Sequence, residues 1–198
     1  MGLIDYTETV VVNDGAVPQF IEGAPVFPAK PPYLSDEDYA ASLKVFRICC
    51  VDLFVVCEGR VALFLRQQLP QADWWVAGGK MNPGESRIVT AIRKGREELR
   101  IDLSSNTFEH LATFDYDWST SAQGGPCSVE ATTLVVEITR EQADAIALNK
   151  EYAGMQWVDP IDILTAGDGM YHQAIERLFK IYDSQVYKEI ARLLATCA

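Results

Sequence analysis

The chain has 198 residues, 48% of them hydrophobic, and its 28 acidic and 17 basic side chains give a formal net charge of −11. This length suits one domain with a buried core. The acidic balance argues against nucleic acid or an anionic membrane as a partner. No apolar stretch is long enough to cross a bilayer. The N-terminus MGLIDYTETV lacks a basic region before an apolar core. We therefore expect a cytoplasmic protein without a secretory signal.

The cysteines also indicate a cytoplasmic protein. They are odd in number, and three lie in one apolar run; their positions are Cys49, Cys50, Cys57, Cys127 and Cys197. No spacing typical of metal ligands is visible among them. We interpret them as reduced thiols that pack as small hydrophobic groups.

Residues 1–44 predict an N-terminal arm and a short helix rather than a domain. The arm combines a β-like piece at residues 9–12 with the proline-rich stretch APVFPAKPPY. Ser35 can cap a helix whose first turn holds three acidic residues, which the helix dipole favours. Residues 45–198 are then predicted to form the main domain, which ends in a C-terminal helix.

The main domain is predicted to alternate strands and helices. The apolar run 46–57, interrupted by Asp52, predicts a central strand that forms a hairpin with residues 61–66. Residues 74–77 predict a short strand into a glycine turn. Beyond it we predict helices at 86–100, 140–147 and 171–194, the last with a candidate break at 183–184, and strands at 106–118, 129–139 and 155–158. This pattern predicts an α+β fold, with a helix on each side of a mixed sheet.

Residues 78–98 read GGKMNPGESRIVTAIRKGREE and place a glycine turn before a helix that carries acids. On a wheel of 100° per residue, the apolar side chains face the sheet, and Glu97 and Glu98 lie on the other side about 100° apart. Two carboxylates there can share a hard cation such as Mg²⁺, which takes oxygen ligands. Acids on a helix alone would indicate a solvated face, and it is the preceding glycine loop that favours a site.

This stretch resembles the Nudix box: Gly, five residues, Glu, seven residues, Arg-Glu-aliphatic-x-Glu-Glu-x-Gly. Gly79, Glu85, Arg93, Glu97 and Glu98 are in register with it. The segment EYAGMQWVDPIDIL also resembles that family, so the resemblance covers about residues 45–182. It implies the Nudix fold, an α/β/α sandwich around a mixed sheet. It also implies a homodimer, with the N-terminal arm and the final helix as contact elements.

The resemblance further implies an enzyme, a Mg²⁺-dependent hydrolase that acts on a nucleoside diphosphate linked to another moiety, with Mn²⁺ as the other candidate metal. In the family, a backbone carbonyl of the glycine turn, here Gly79, joins the carboxylates of Glu97 and Glu98 as metal ligands. Arg93 would orient the glutamates by salt bridge. Glu85 would support the junction between loop and helix.

The catalytic base and the substrate contacts are less well defined. Glu130, beside the loop 123–128, and Glu151 are candidates for a base or a further metal ligand. Glu130 is equally well explained as the exposed end of a strand. Candidate phosphate contacts, any of which alone would be a surface charge, are Arg47, Arg66 and Lys80. Aromatic residues that could stack on a base, or simply fill the core, are Phe46, Trp74, Trp75, Tyr116 and Trp118.

Three positions depart from the family pattern. Lys94 stands where the family has a Glu, and a cation there repels Mg²⁺. Gly95 replaces an aliphatic residue at a helix cost of about 1 kcal/mol relative to Ala. Arg100 replaces the terminal Gly, so a left-handed helix cap is expected to be missing. Three outcomes are open: hydrolysis with fewer metals, direct contact of Lys94 with substrate phosphate, or a binding fold without catalysis.

The GDP-mannose hydrolases of the family also lack the Glu at the position of Lys94. They cleave the sugar carbon–oxygen bond with a single metal, and WWVAGGK resembles their sequence before the box. This favours a nucleotide sugar as the substrate. The alternative is a catalytically weakened Nudix-fold protein that binds nucleotides or has a regulatory role. A diphosphate isomerase of the related fold is disfavoured, because the chain lacks that group's paired Cys and Glu signature.

Overall fold

The fold is a mixed β-sheet between two helical layers. A computed structural model describes residues 10–12, 19–21, 27–28, 34–166 and 170–196. Its strands are β1 (Val10–Val12), β2 (Gln19–Ile21), β3 (Ile48–Cys57), β4 (Arg60–Arg66), β5 (Trp74–Trp75), β6 (Ala77–Lys80), β7 (Phe108–Trp118), β8 (Cys127–Glu137) and β9 (Tyr152–Val158). Its helices are α1 (Asp36–Leu43), α2 (Arg87–Lys94), α3 (Arg140–Asp144), α4 (Pro160–Thr165) and α5 (Gln173–Thr196).

Strand β3 is the centre of the main sheet, whose order is β5-β4-β3-β8-β7, with β6 paired to β3 and β9 paired to β4. β3 and β8 run parallel, while the pairs β3–β6, β4–β9 and β7–β8 are antiparallel. β1 and β2 form a separate two-stranded sheet. The predicted α+β sandwich with a mixed sheet is therefore confirmed. The division of the chain at residue 44 stays a prediction.

The two faces of β3 build two cores, because successive side chains of a strand point to opposite faces. Val51, Leu53 and Val55 pack on the α2 side, with Leu99 after that helix. Phe54 and its neighbours on the other face pack against α5, where residues Ile175, Leu178 and Phe179 are fully buried. Among the described helices, none is long and apolar enough to cross a bilayer.

The C-terminal helix corrects one expectation. α5 runs without interruption from Gln173 to Thr196, so the candidate break at 183–184 is wrong. The hydroxyl of Ser184 donates to the carbonyl of Ile181 at 2.9 Å, so this polar side chain is satisfied without leaving the helix. Most of the proline-rich stretch and Cys197 lie outside the described residues. The four cysteines that are described are free thiols, and Cys49 is exposed rather than packed in the core.

The helix that carries the acids does not keep α-helical spacing to its end. After α2, residues Gly95–Leu99 form a π-helix. A Cβ on Gly95 would lie 2.6 Å from Cδ1 of Leu103, which is fully buried. The close approach of Leu103 therefore explains why glycine replaces an aliphatic residue here. The π-helix begins at this glycine, and its wider turn changes the directions in which the next side chains point.

Arg100 ends this helix in the left-handed conformation, with φ 62° and ψ 22°, and its N–H donates to the carbonyl of Gly95. The expectation that a left-handed cap is missing is therefore wrong. Ile101 and Leu103 are buried, so packing of the following segment holds the turn in place. An L-residue pays a steric cost in this conformation of about 1–2 kcal/mol.

We expect Arg100→Gly to raise the free energy of unfolding by about 0.5–1 kcal/mol, because glycine adopts this conformation without a Cβ clash but has more backbone entropy to lose. Urea unfolding measures the change. Arg100→Ala removes the same charged side chain and keeps the Cβ, so it should give no gain. Equal gains from both substitutions would show that backbone strain is not the cause.

Candidate functional site

The site is built around two consecutive glycines in β6. Gly78 and Gly79 have φ values of 149° and 155°, which side-chain-bearing residues rarely adopt. A Cβ on Gly78 would lie 2.3 Å from the carbonyl oxygen of Val51, so only glycine allows this approach to β3. A Cβ on Gly79 would lie 3.1 Å from Nζ of Lys94. The glycine segment thus separates the acid-bearing helix from the space beside β3.

Glu98 lies on the helix side of this segment and is 1% exposed. Its Oε2 accepts hydrogen bonds from the Gly78 N–H at 3.0 Å and from the Tyr152 hydroxyl at 2.5 Å. Its Oε1 accepts from Lys94 Nζ at 3.0 Å. The wheel that placed Glu98 away from the packed face is wrong, because the π-helix does not follow 100° per residue. Burial, and then the charge of Glu98, raise the pKa of Tyr152, so its hydroxyl remains a donor.

Arg93 connects Glu85 to Glu97. Its Nε and Nη2 each donate to a different oxygen of Glu85 at 2.7 Å, and its Nη1 donates to Glu97 Oε2 at 3.0 Å. Nη2 also donates to the carbonyl of Lys80 at 2.9 Å. Glu85 receives a further hydrogen bond from the Thr90 hydroxyl. These contacts are the ones that the predicted roles of Arg93 and Glu85 require: the arginine fixes a glutamate, and Glu85 ties the loop to the helix.

Glu85 predicts an acid-dependent loss of stability. Burial raises its pKa, but hydrogen bonds from Arg93, Asn82 and Thr90 outweigh burial and hold the pKa at about 2. A glutamate in the unfolded chain titrates near about 4.3. Because the folded value is depressed, the stabilisation is fully present above the unfolded pKa and is lost as the pH falls through the folded pKa.

We expect Glu85→Gln to lower the free energy of unfolding by about 1–3 kcal/mol at pH 7 and to flatten its fall between about pH 5 and pH 2. The measurement is urea unfolding at a series of pH values. Asp117→Asn, at an exposed position, is the control, and its free energy of unfolding should fall in acid as that of the wild type does. If the free energy of unfolding fell as steeply in acid for Glu85→Gln as for the wild type, this pH dependence could not be assigned to Glu85.

The ammonium of Lys94 lies between the two carboxylates of the helix. Its Nζ is 3.0 Å from Glu98 Oε1 and 3.4 Å from Glu97 Oε2, and it lies on the side of Gly79 where a Cβ would point. Burial lowers the pKa of Lys94, but the carboxylates of Glu98 and Glu97 outweigh burial, so the net shift is upward. The side chain is therefore charged. Gly79, Glu97 and Glu98, which are the predicted metal ligands, all lie around it.

These oxygen donors are of the kind that Mg²⁺ prefers, but the side chains as they stand do not fit a divalent ion. Both oxygens of Glu98 already accept hydrogen bonds, and Glu97 Oε2 is shared by Arg93 and Lys94. Within the described part of the chain, no group of three or more His, Cys, Asp or Glu side chains is arranged to hold a metal. A metal between Glu97 and Glu98 would have to displace the lysine.

A cavity of about 220 Å³ lies on the other side of the glycine segment, and Gly78 and Gly79 form part of its wall. Arg66 and Lys80, two of the predicted phosphate contacts, line it. Its volume is below the range of about 300–1,000 Å³ that is usual for whole ligands, so it suits one ring of a larger molecule. Lys80 Nζ also lies 4.8 Å from the ring centroid of Tyr39 in α1, which brings that helix to the rim.

Aromatic rings form a second part of the cavity wall. Tyr116 and Trp118 stack with their centroids 5.5 Å apart, and Trp75 packs edge-on against Tyr116 at 5.7 Å. The Tyr116 hydroxyl and the Ser121 hydroxyl are buried in the same wall and have no hydrogen-bond partner among the residues that the structure describes. Unpaired buried polar atoms are costly, so a ligand could pair with these two hydroxyls only if the wall moved to expose them.

Asp52 is a polar group of this cavity that sequence analysis did not assign to the site. It lies in β3, is 6% exposed and accepts a hydrogen bond from the indole N–H of Trp75. Burial raises its pKa to about 7, against the lowering effect of Arg66. The signal was present in the sequence as the one acid within the apolar run 46–57. The pairing of β3 with β6 places Asp52 opposite Gly78, and this position makes the acid part of the site.

Several predicted residues, Arg47 and Glu130 among them, do not join this arrangement. Arg47 forms an exposed ion pair with Asp115 at 2.7 Å and does not line the cavity. Glu130 lies 3.6 Å from Arg87 on the α2 side of the sheet, whereas its neighbours Val129 and Ala131 face the cavity. Their proposed roles in binding and base catalysis stay predictions.

The mixed sheet, the glycine turn, Glu85 in the loop and the helix with Arg93, Glu97 and Glu98 form an α/β/α sandwich that carries a carboxylate box. The NUDIX domain model matches residues 49–179. The chain therefore belongs to the Nudix family, as its box predicts.

Known proteins are similar to this chain in sequence and in fold. The chain is 25% identical over 128 residues to the low-salt glycan biosynthesis protein Agl8 of Haloferax volcanii, covering 64% of this chain and 80% of that protein. Its fold is similar to the MutT protein of Methanosarcina mazei, with TM-score 0.56, 20% identity, and coverage of 70% of this chain and 94% of that chain. A C. elegans Ap4A hydrolase is also similar, with TM-score 0.53, 20% identity, and coverage of 71% and 98%. These matches establish the fold, and the GDP-mannose branch stays a hypothesis.

Proposed function

We propose that this protein hydrolyses a nucleoside diphosphate linked to a second group, and that its substrate is a nucleotide sugar. The observation that supports this most directly is the shared wall of the site. One side of Gly78–Gly79 faces the acid-bearing helix, and the other faces a cavity with cations and aromatic rings. A diphosphate beside the glycines would have a ring pocket on one side and carboxylates on the other.

Local charge supports an anionic ligand in this cavity. With a net charge of −11, the whole chain repels anions, so a diphosphate needs local cations. Arg66 and Lys80 supply them at the cavity wall. The stacked pair Tyr116 and Trp118 offers π-faces to a base or sugar ring, and Asp52 offers an acceptor for its N–H or O–H groups.

Hydrolysis adds water to the bond between the diphosphate and the second group, and the base takes a proton from that water. Glu97 suits this role, because it is about half exposed and Arg93 fixes one of its oxygens. The family typically uses a divalent metal, Mg²⁺ or Mn²⁺, which neutralises phosphate oxygens when bound. With Lys94 in its present position the chain does not fit one, so its own side chains must provide the positive charge.

Two further observations favour a sugar nucleotide within this class. The relative Agl8 is described as a glycan biosynthesis protein, which is compatible with a sugar-containing substrate. The residues WWVAGGK, which resemble those before the box in GDP-mannose hydrolases, build part of the cavity wall through Trp75, Val76, Gly78, Gly79 and Lys80.

A second candidate function is nucleotide binding without turnover, as a regulatory or sensor protein. The position of Lys94 favours it, since this ammonium neutralises the carboxylates that would otherwise collect metal. The two candidates share the cavity and differ only in whether a product forms.

The test is a panel of nucleotide sugars, dinucleotides and nucleoside triphosphates, each with Mg²⁺, Mn²⁺ or EDTA. Product is followed by chromatography and binding by calorimetry. We expect turnover of a nucleotide sugar that Glu97→Gln abolishes and that Glu109→Gln, at an exposed position, leaves unchanged. Binding without product would favour the second candidate. A panel with neither would reject both.

The bond that breaks is identified by running the reaction in ¹⁸O-water. Label in the sugar product would show carbon–oxygen cleavage and support the similarity to mannosyl hydrolases. Label in the phosphate product would show phosphorus–oxygen cleavage and exclude that similarity.

A further inference from the structure

We infer that the ammonium of Lys94 is the resident cation of this box and takes the place of a divalent metal between Glu97 and Glu98. The inference rests on side-chain geometry alone. Its consequence, that the lysine faces a bound diphosphate, rests on the proposed function. Two of the groups predicted to ligate a metal, the carboxylates of Glu97 and Glu98, are the groups that Lys94 contacts, and its ammonium fills the space that a Cβ on Gly79 would face.

Both carboxylate oxygens of Glu98 already accept hydrogen bonds. Oε2 accepts from the Gly78 N–H and from the Tyr152 hydroxyl, and Oε1 accepts from the lysine. A carboxylate that is 1% exposed gains little from water, so these donors are its partners. A divalent ion on Oε1 would have to replace the ammonium rather than fill an open position.

The burial of Lys94 separates this contact from an ordinary surface pair. Its side chain is 16% exposed, and that of Glu98 is 1% exposed. Exposed pairs four residues apart on a helix fluctuate and contribute little. Here, outward motion of the lysine would leave a buried carboxylate with neutral donors only, Gly78 N–H and Tyr152 hydroxyl. The ammonium is therefore held in the site by its environment.

Charge leads to the same conclusion. Glu85, Glu97 and Glu98 give −3, and Arg93 and Lys94 give +2, so this cluster has a net charge of −1. With glutamate at position 94, as in the family pattern, four acids and one arginine would give −3. The lysine thus changes the local charge by two units, which weakens the attraction for a divalent cation.

The experiment is a Mn²⁺ titration followed by electron paramagnetic resonance, without nucleotide. We expect weak binding by the wild type. Lys94→Glu should bind Mn²⁺ about 10- to 100-fold more tightly, the size of effect that groups next to metal ligands exert. Lys94→Gln, which removes the charge without adding a ligand, should be intermediate. Lys180→Glu makes the same charge change at an exposed position of α5 and should behave like the wild type.

The site is located by adding Glu97→Gln to Lys94→Glu, which should remove the gained affinity. Circular dichroism checks that each variant is folded, and Lys94→Gln serves if Lys94→Glu is not. The inference is overturned if the wild type binds Mn²⁺ as tightly as the Lys94 variants, or if none of them binds it. Because no nucleotide is present, failure here leaves the hydrolase proposal to the substrate panel, and failure of the panel leaves this inference intact.

Discussion

Replacing Glu98 with leucine is expected to lower the free energy of unfolding by about 3–5 kcal/mol, the usual cost of breaking a buried ion pair. The substitution removes the carboxylate that three donors share: the ammonium of Lys94, the N–H of Gly78 and the hydroxyl of Tyr152. Lys94 then keeps only Glu97, at 3.4 Å. All three donors meet at a carboxylate that is 1% exposed, so water cannot easily replace it. Urea unfolding measures the loss, and Glu109→Leu, at an exposed position, is the control.

A double-mutant cycle tests whether the lysine, once it has lost Glu98 as its partner, causes this loss. Adding Lys94→Met to Glu98→Leu should restore at least half of the lost stability, because replacing both members of a buried pair by apolar groups is often nearly neutral. Lys94→Met alone should also destabilise, since it leaves Glu98 charged and buried. If the double variant were as unstable as the sum of the two single variants, the pair would not be coupled. The geometry that places the ammonium in the box would then be wrong.

Much of the fold could be predicted because local patterns agree with it. The apolar run 46–57 and the turn at Glu58-Gly59 do form the hairpin of β3 and β4, and both turn residues have the positive φ that a tight hairpin needs. Ser86 caps α2 by accepting from the Val89 N–H. The box predicted the loop, the helix and the contacts of Arg93, because fixed spacing in one short segment determines them.

The interior of the box could not be predicted, because it depends on packing from outside the segment. The π-helix exists where Leu103 occupies the space that a side chain at Gly95 would fill. That turn brings Glu98 inward to Tyr152, a residue 54 positions away that no motif connects to it. A helical wheel assumes regular spacing and therefore places Glu98 on the wrong side.

The cavity could not be predicted either, because elements far apart in the sequence form its wall. Its wall comes from α1, β3, β4, β5, β6, β7, β8 and the loops between them, and only sheet pairing brings these strands together. Asp52 was visible as an acid in an apolar strand, but its neighbours in the sequence say nothing about its purpose. Arg66 and Lys80 lie at the same wall, and their phosphate contacts stay a prediction. Arg47, which was predicted with Arg66 from its place beside the hairpin, lies elsewhere.

Asp52 leads to a prediction of opposite sign to that for Glu98. We expect Asp52→Asn to raise the free energy of unfolding by about 2–4 kcal/mol at pH 8 and to change it little at pH 4. Burial raises the pKa of Asp52 to about 7, while an aspartate in the unfolded chain titrates near about 3.9. Between these values the folded protein holds the proton more tightly, so wild-type stability falls as the pH rises through this window and stays low above it. Asparagine has no proton to lose.

Urea unfolding from pH 4 to pH 8 measures the effect, and Asp117→Asn, at an exposed position, should show no such gain. A buried acid that destabilises its own protein near neutral pH needs a reason to be there, and stability is often given up where a site needs a particular group. The same Asp52→Asn variant should therefore bind its nucleotide ligand more weakly while it unfolds less readily. A stabilised variant with unchanged ligand affinity would mean that the carboxyl group contacts no ligand, and the cavity would lose its proposed acceptor.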